Sequence, residues 1–104
     1  MSIYEGKQRD NGVGGQDVFK DGQPLSPVPS QRLWNHSPDG FNWGYSGSGP
    51  AQLALALLLD VTGDTTRSLG LHQSFKRAFV AGWGAEWQMT SEEIWAWIKG
   101  QKGV

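Results

Sequence analysis

A nearly unbroken apolar segment in the middle of the chain is the strongest pattern in the sequence. At about 100° per residue its leucines cover most of the circumference of a helix. They are Leu53, Leu55, Leu57, Leu58 and Leu59. Only a narrow stripe of Gln52, Ala56 and Asp60 is left for another environment. The pattern predicts a central helix that is buried on almost every side.

The ends of this helix carry recognisable signals. Pro50 suits the first helical position, Ser48 or Gly49 can cap the helix, and Gly63 is a stop signal. A second helix is predicted to start at the Asp64/Thr65 cap and to end before Gly82.

The second helix is amphipathic in the pattern. Its apolar arc is predicted to contain Leu71, Phe75, Ala78 and Phe79. Gln73, Lys76 and Arg77 fall on the opposite, basic side. His72 lies on the border between the two arcs, where an ordinary half-buried histidine is expected.

Short β-strands are predicted at the N-terminus. Ile3 to Lys7 and Asp17 to Lys20 contain β-branched and aromatic residues and are separated by the breaker-rich segment QRDNGVGG, which favours a β-hairpin. Asp21-Gly22 offers a tight turn into a third short strand through Pro24 and Leu25. Because proline cannot donate a ladder hydrogen bond, that strand belongs at a sheet edge.

The C-terminal region combines a strand with a well-signalled helix. Glu86 to Met89 alternates polar and apolar residues and is predicted to join the N-terminal sheet. The segment from Thr90 to Glu93 is a capping box that opens a final helix to about Lys99. Ile94, Trp97 and Ile98 are expected to face the core.

The elements together predict an α+β fold in one domain, residues 1–104. A small antiparallel sheet of about three strands packs on three helices, with the Leu-rich helix in the middle. Ser26 to Gly49 contains three prolines and many glycines and serines, and is predicted to be an ordered but irregular connection.

Charge and composition exclude several classes of function. Nine basic and ten acidic residues give a net charge of -1, so bulk charge indicates neither a strongly basic nucleic-acid surface nor an acidic DNA mimic. The absence of cysteine removes disulfides, thiolate catalysis and Cys-based zinc sites. The N-terminus MSIYEGKQRD lacks the apolar run of a signal peptide, and Leu53 to Leu59 is too short to span a bilayer. We expect a cytoplasmic protein without membrane contact.

A long motif carries a resemblance to a known family. The segment NHSPDGFNWGYSGSGPAQLALALLLD, with the IYEGK opening, HQSFKRAFVA and the terminal EEIWAWI, resembles a small bacterial and bacteriophage family of unknown function. The Asn11 to Gly15 region and the WGAEWQ segment depart from it. The resemblance names no activity. It implies a setting of bacterial genomes with their phages and plasmids, and hence a small accessory protein.

The GSGPA turn is a candidate anion site. Gly47 and Gly49 permit close backbone approach, and the helix that begins near Ser48 presents free N–H groups and a partial positive charge. Phosphate or a carboxylate could bind there. The pattern lacks the Lys-Ser/Thr of a phosphate-binding loop and Pro50 removes one donor, so a purely structural glycine turn is the simpler interpretation.

Aromatic residues form the second candidate site. Phe41, Trp43 and Tyr45 have a spacing of two and would share one face of an extended chain. Such rings can stack on bases or anchor a protein partner, with Arg67, Lys76 and Arg77 as nearby cations. The simpler interpretation is that they cover one end of the central helix. Trp83 and Trp95 are the tryptophans expected to be partly exposed.

A hydrolase is the third hypothesis. His36, Asp39 and either Ser46 or Ser48 could supply a base, an orienting carboxylate and a nucleophile. Their spacing is not diagnostic, and Asx-turn chemistry explains Asn35 to Gly40 without catalysis. The two distant histidines show no metal-ligand spacing, so neither a metal nor a cofactor is expected.

These patterns favour a non-enzymatic, protein-binding accessory factor of a phage or mobile element. Inhibition of a host defence complex, such as a CRISPR effector, by steric occlusion is the specific form we expect. The alternative is a binder of nucleic acid, nucleotide or phosphate at the GSGPA turn, and the third is the hydrolase at His36. The pattern does not indicate an oligomeric state.

Overall fold

The computed structural model describes residues 1–101 and contains one four-stranded antiparallel sheet. The strands are β1 (Ile3–Lys7), β2 (Val18–Lys20), β3 (Gln23–Pro24) and β4 (Glu86–Thr90), in the order β3-β2-β1-β4. The predicted α+β class, the N-terminal hairpin and the addition of the C-terminal strand are confirmed. The sheet has one strand more than the three expected because the short segment containing Pro24 does pair, at the edge.

The register of β1 and β4 gives the sheet one buried face. Tyr4 pairs with Met89 and Gly6 with Trp87, and all four are buried. The alternate residues, such as Glu5 and Gln88, point to the opposite face and are exposed. The helices therefore cover only one side of the sheet.

Among the described residues, four α-helices complete the fold. They are α1 (Val28–Leu33), α2 (Ser48–Thr62), α3 (Thr65–Ala78) and α4 (Ser91–Lys99). Three helices were predicted, and α1 lies inside the connection expected to be irregular. Its prolines, Pro27 and Pro29, occupy the N-cap and the first turn, where a missing N–H costs no helical hydrogen bond. Within residues 1–101, no helix combines the length and the apolar composition needed to cross a bilayer.

The central helix α2 is buried as predicted, with two differences. Every residue from Gly49 to Leu58 is buried, including Gln52, which the pattern had placed on a polar stripe. The helix begins at Ser48 with Gly47 as its N-cap, so Pro50 is its third residue, not its first. It ends at the predicted Gly63, whose φ of 65° is left-handed.

Asp60, near the end of α2, connects the helix to the sheet. It accepts a 2.5 Å hydrogen bond from the hydroxyl of Tyr4 and lies 2.9 Å from the ammonium of Lys20. Burial and then the bond to Asp60 raise the pKa of Tyr4 well above its ordinary value. Both inner strands are thus fixed to the same carboxylate.

Helix α3 starts as predicted but presents a different arc to the core. Asp64 caps it by accepting a 2.9 Å hydrogen bond from the amide of Arg67. Its buried residues are Ser68, His72 and Phe75, whereas Ala78, predicted to face the core, is exposed. The buried arc is therefore centred on the line that passes through His72, because the loop before α2 packs against that side.

The capping box of α4 is confirmed. The amide of Thr90 donates to the Glu93 carboxylate at 3.0 Å, and the amide of Glu93 donates to the Thr90 hydroxyl at 3.1 Å. Ile94 and Ile98 are fully buried. Trp97 is half-buried and packs edge-on against Phe75 and Phe79.

Candidate interaction site

The chain between α1 and α2 folds over one end of α2 and is held there by Gln52. The amide nitrogen of Gln52 donates to the Ser30 hydroxyl at 2.9 Å and to the carbonyl of Trp34 at 3.2 Å. Its amide oxygen accepts from the backbone N–H of Ser37 at 3.0 Å. One fully buried side chain therefore fixes the backbone on both sides of His36.

Trp34 and the two histidines of the chain form an aromatic cluster at this end of the molecule. Trp34 is 54% exposed and stacks on His36, with ring centroids 4.4 Å apart and planes inclined by 20°. The Nε2 atoms of His36 and His72 are 2.9 Å apart, and His72 is only 1% exposed. An exposed indole is thus connected, through one half-buried ring, to a ring in the core.

The hydrogen bonds define the protonation of this pair at neutral pH. Nδ1 of His72 is 2.7 Å from the carbonyl oxygen of Leu69, and a carbonyl only accepts, so this nitrogen carries the proton. Nε2 of neutral His72 is therefore the acceptor, and Nε2 of His36 donates to it. Burial lowers the pKa of both histidines, and Lys76 on the next turn of α3 lowers it further.

Tyr45 is the second exposed aromatic residue, and it explains the glycines of the turn before α2. Its side chain is 49% exposed, and its ring lies on the backbone of the turn. A Cβ at Gly47 would be 2.6 Å from Cε2 of Tyr45, and one at Gly49 would be 3.1 Å from the Tyr45 hydroxyl and 2.7 Å from Cβ of Asn42. The glycine turn is needed for packing, without reference to a ligand.

The other two rings of the predicted aromatic face are core residues. Phe41 and Trp43 are buried, and the indole N–H of Trp43 donates to the carbonyl of Gly84 at 2.9 Å. Gly40 and Gly44, with φ of 102° and 87°, turn the chain on either side of them. The segment is not extended, so the three rings do not share one face, and of the three only Tyr45 is exposed to a partner.

A small polar cavity of about 220 Å³ lies at the N-terminus of α2. Ser48 and Gly49, the residues of the proposed anion site, form part of its wall. Asp39 and Tyr45 also line it. The carboxylate of Asp39 opposes the helix dipole that would attract an anion.

The catalytic hypothesis finds little support in this geometry. Asp39 and Ser48 share the cavity, but His36 does not line it and its Nε2 is engaged by His72. Within residues 1–101 no hydrogen bond joins His36 to Asp39, Ser46 or Ser48. The base, the carboxylate and the nucleophile of the proposed triad are therefore not brought together.

The predicted basic side of α3 is divided between two surfaces. Arg67 and Lys76 are nine residues apart, which places them about 180° apart around a helix. Arg67 lies over the ring of Trp95 at 5.9 Å from its centroid, whereas Lys76 is next to the histidine pair. Arg77 is exposed near Ser74. The three cations do not form one patch.

Trp83 and Trp95 are half-buried, in agreement with the prediction of partial exposure. Trp83 stacks on Trp87 at 4.0 Å with planes inclined by 12°. Trp95 and Ala96 line a shallow cavity on the outer side of α4. Neither ring is as exposed as Trp34, which the sequence did not single out.

The comparisons with other proteins place the chain in a family without adding an activity. In the part of the chain that the structure describes, no group of three or more His, Cys, Asp or Glu side chains could hold a metal ion. No solved structure and no curated protein matches the chain. Residues 4–100 match a family described as being of unknown function, DUF6166, and the chain belongs to that family.

Proposed function

We propose that this domain is a non-enzymatic protein-binding module in which Trp34 is the principal anchor. The observation that carries the proposal is an exposed indole held rigid by its neighbours. Trp34 is 54% exposed and stacks on His36, and its backbone carbonyl accepts a hydrogen bond from the side-chain amide of Gln52. Tryptophan is enriched among the residues that dominate protein–protein binding energy.

A rigid anchor favours binding because no free energy is then lost in ordering its side chain at the interface. Immobilising a flexible side chain at an interface costs about 0.5–1.5 kcal/mol. Stacking on His36, which is itself hydrogen-bonded to a buried ring, removes much of that cost before binding. A free surface tryptophan would lack this advantage.

Charge around the anchor favours an acidic partner surface. Arg32 is exposed two residues before Trp34, in the last turn of α1. Lys76 lies beside the histidine pair. Cations near an aromatic anchor orient a partner that carries carboxylates and accelerate its association. They replace the triad of Arg67, Lys76 and Arg77 inferred from the sequence, because Arg67 faces Trp95.

The class of partner follows from the resemblance to phage and bacterial proteins. A small domain that resembles such proteins, and in whose residues 1–101 His36 is not brought to Asp39 and Ser48, suits steric inhibition of a host defence complex, such as a CRISPR effector. In this mechanism Trp34 inserts into the partner and the rest of the domain blocks the partner's own ligand.

A photo-crosslinker at the anchor tests the proposal. With benzoylphenylalanine in place of the exposed Asn35, next to an intact Trp34, ultraviolet irradiation in a lysate of the host bacterium is expected to give a covalent adduct with one protein. The same crosslinker in place of Trp95, on the outer side of α4, is the matched control and should not give that adduct. Equal adducts from both positions, or none from position 35 in a folded protein, would refute the assignment of Trp34.

The alternative is a binder of phosphate or nucleic acid at the N-terminus of α2. A cavity of about 220 Å³ lined by Ser48 and Gly49 at the start of a 15-residue helix favours it. Asp39 in the same cavity and the Tyr45 ring on the turn oppose it. This is therefore the weaker of the two proposals.

A further inference from the structure

The two histidines form a hydrogen bond that can persist when one ring is charged but not when both are. Nε2 of His36 donates to Nε2 of His72 at 2.9 Å, and the amide of Gln73 approaches the same His72 nitrogen at 3.4 Å. His72 is 1% exposed, so water does not reach its acceptor nitrogen freely. Nε2 of His72 therefore accepts from two neutral donors, the His36 ring and the Gln73 amide.

Protonation changes this contact in two steps. A first proton on the pair can be accommodated if His36 moves its own proton to Nδ1, because its Nε2 then accepts from His72. A second proton leaves two N–H groups facing each other across 2.9 Å. Two like charges at that distance, one of them buried, must separate.

Compensation for positive charge on the pair comes from the backbone hydrogen bonds of His72 to Leu69 and Ser68, which raise its pKa by less than burial lowers it. The charged side chain that acts on both rings is Lys76 of α3, whose sign opposes protonation. The residue of α2 that holds this loop is the neutral Gln52, and the loop itself contributes Trp34 and Ser37. Among residues 1–101 no carboxylate forms an ion pair with either histidine.

We propose that the His36–His72 pair is a proton-sensitive clasp that fixes Trp34 at neutral pH and releases its indole in acid. The backbone of the loop stays in place, since Gln52 binds Trp34 and Ser37 through groups that do not titrate in this range. The His36 ring moves away from His72, and Trp34 loses the ring on which it stacks. The regulatory meaning of this clasp rests on the proposed function of Trp34.

The direction of the pH dependence follows from linkage. Both folded-state pKa values lie below the ordinary 6.5, so the unfolded chain binds more protons than the folded chain in mildly acidic solution. The pair therefore contributes its stability above pH 6.5. That contribution is lost as the pH falls below 6.5 and through the lowered pKa values of the two histidines.

Nuclear magnetic resonance of the isolated protein, without a partner or a polyhistidine tag, tests the clasp. The chain has only two histidines, so their imidazole signals can be assigned directly. Between pH 7.5 and 4.5, both rings should titrate with pKa values below 6.5. The indole N–H of Trp34 should shift and lose order as the second proton binds.

His72→Gln is the matched variant. Glutamine places an oxygen acceptor near the former Nε2 and cannot be protonated, so the Trp34 indole should keep its order over the same range while His36 alone titrates. His36→Gln removes the ring on which Trp34 stacks, so the indole should lack order at every pH of this range, and this variant serves if His72→Gln does not fold. An indole whose order is constant in the wild type, or the same acid-induced loss of order in the variants, would overturn the clasp. Because no partner is present, either result leaves the binding function of Trp34 to its own test.

Discussion

Replacing Gln52 by alanine is expected to lower the free energy of unfolding by about 3–5 kcal/mol. The side chain is fully buried and joins α2 to the Ser30 hydroxyl, the Trp34 carbonyl and the Ser37 N–H. Alanine removes the partner of the Ser37 N–H and one of two hydrogen bonds from the Ser30 hydroxyl and from the Trp34 carbonyl, and it opens a cavity between α2 and the loop. A loss of this size is a large fraction of the stability of a small domain. Urea unfolding followed by tryptophan fluorescence measures it.

The Gln52→Met variant separates the contribution of the hydrogen bonds to stability from that of the side-chain volume. Methionine fills nearly the same space but satisfies none of the three polar groups, so we expect a loss of about 2–3 kcal/mol. The same variant should also loosen Trp34, because the Trp34 carbonyl loses its hydrogen bond from Gln52. If Gln52→Met were as stable as the wild type, the polar network would not be what holds the loop.

Gly6→Ala is expected to destabilise the fold by about 2–4 kcal/mol, through overpacking. Gly6 lies on the buried face of β1, opposite Trp87. A Cβ there would be 2.6 Å from Nε1 of Trp87 and 2.7 Å from Cη2 of Trp43. Trp43 packs edge-on against Trp87, which also stacks on Trp83, so neither indole has room to retreat.

Gly70→Ala is the matched control for this substitution. Gly70 lies in α3, and a Cβ built there meets no atom within 4 Å. Alanine in an unobstructed helix position should raise stability by about 0.4–1 kcal/mol. Thermal or urea unfolding of the two variants should therefore give opposite signs. A Gly6→Ala protein as stable as the wild type would mean that the three tryptophans repack freely.

The elements that the sequence predicted well are those encoded by neighbours along the chain. The capping box of Thr90 and Glu93 closes within one turn, and the alternation from Glu86 to Met89 matches the period of a strand. The apolar circumference of α2 likewise requires burial whatever surrounds it. Local chemistry determines these features, so they can be read without a structure.

The features that were missed depend on contacts between distant residues. His36 and His72 are 36 positions apart, and only the packing of the loop on α3 brings them together. Gln52 can be buried because backbone groups of that same loop satisfy its amide. Phe41 and Trp43 are core residues, as in the simpler of the two interpretations of the aromatic segment, and the alternative of a surface face required an extended chain. Helix α1 was not predicted because its prolines indicated an irregular connection, whereas the first turn of a helix tolerates them.

Affinity capture from a lysate of the host bacterium tests the role of Trp34 most directly. The tagged wild type is compared with Trp34→Ala and with Trp95→Ala, each with and without nuclease and after circular dichroism has confirmed the fold. We expect the wild type and Trp95→Ala to recover a nuclease-resistant protein, and Trp34→Ala to recover about tenfold less of it or lower still. Equal recovery by a folded Trp34→Ala protein, or recovery of nucleic acid alone, would contradict it.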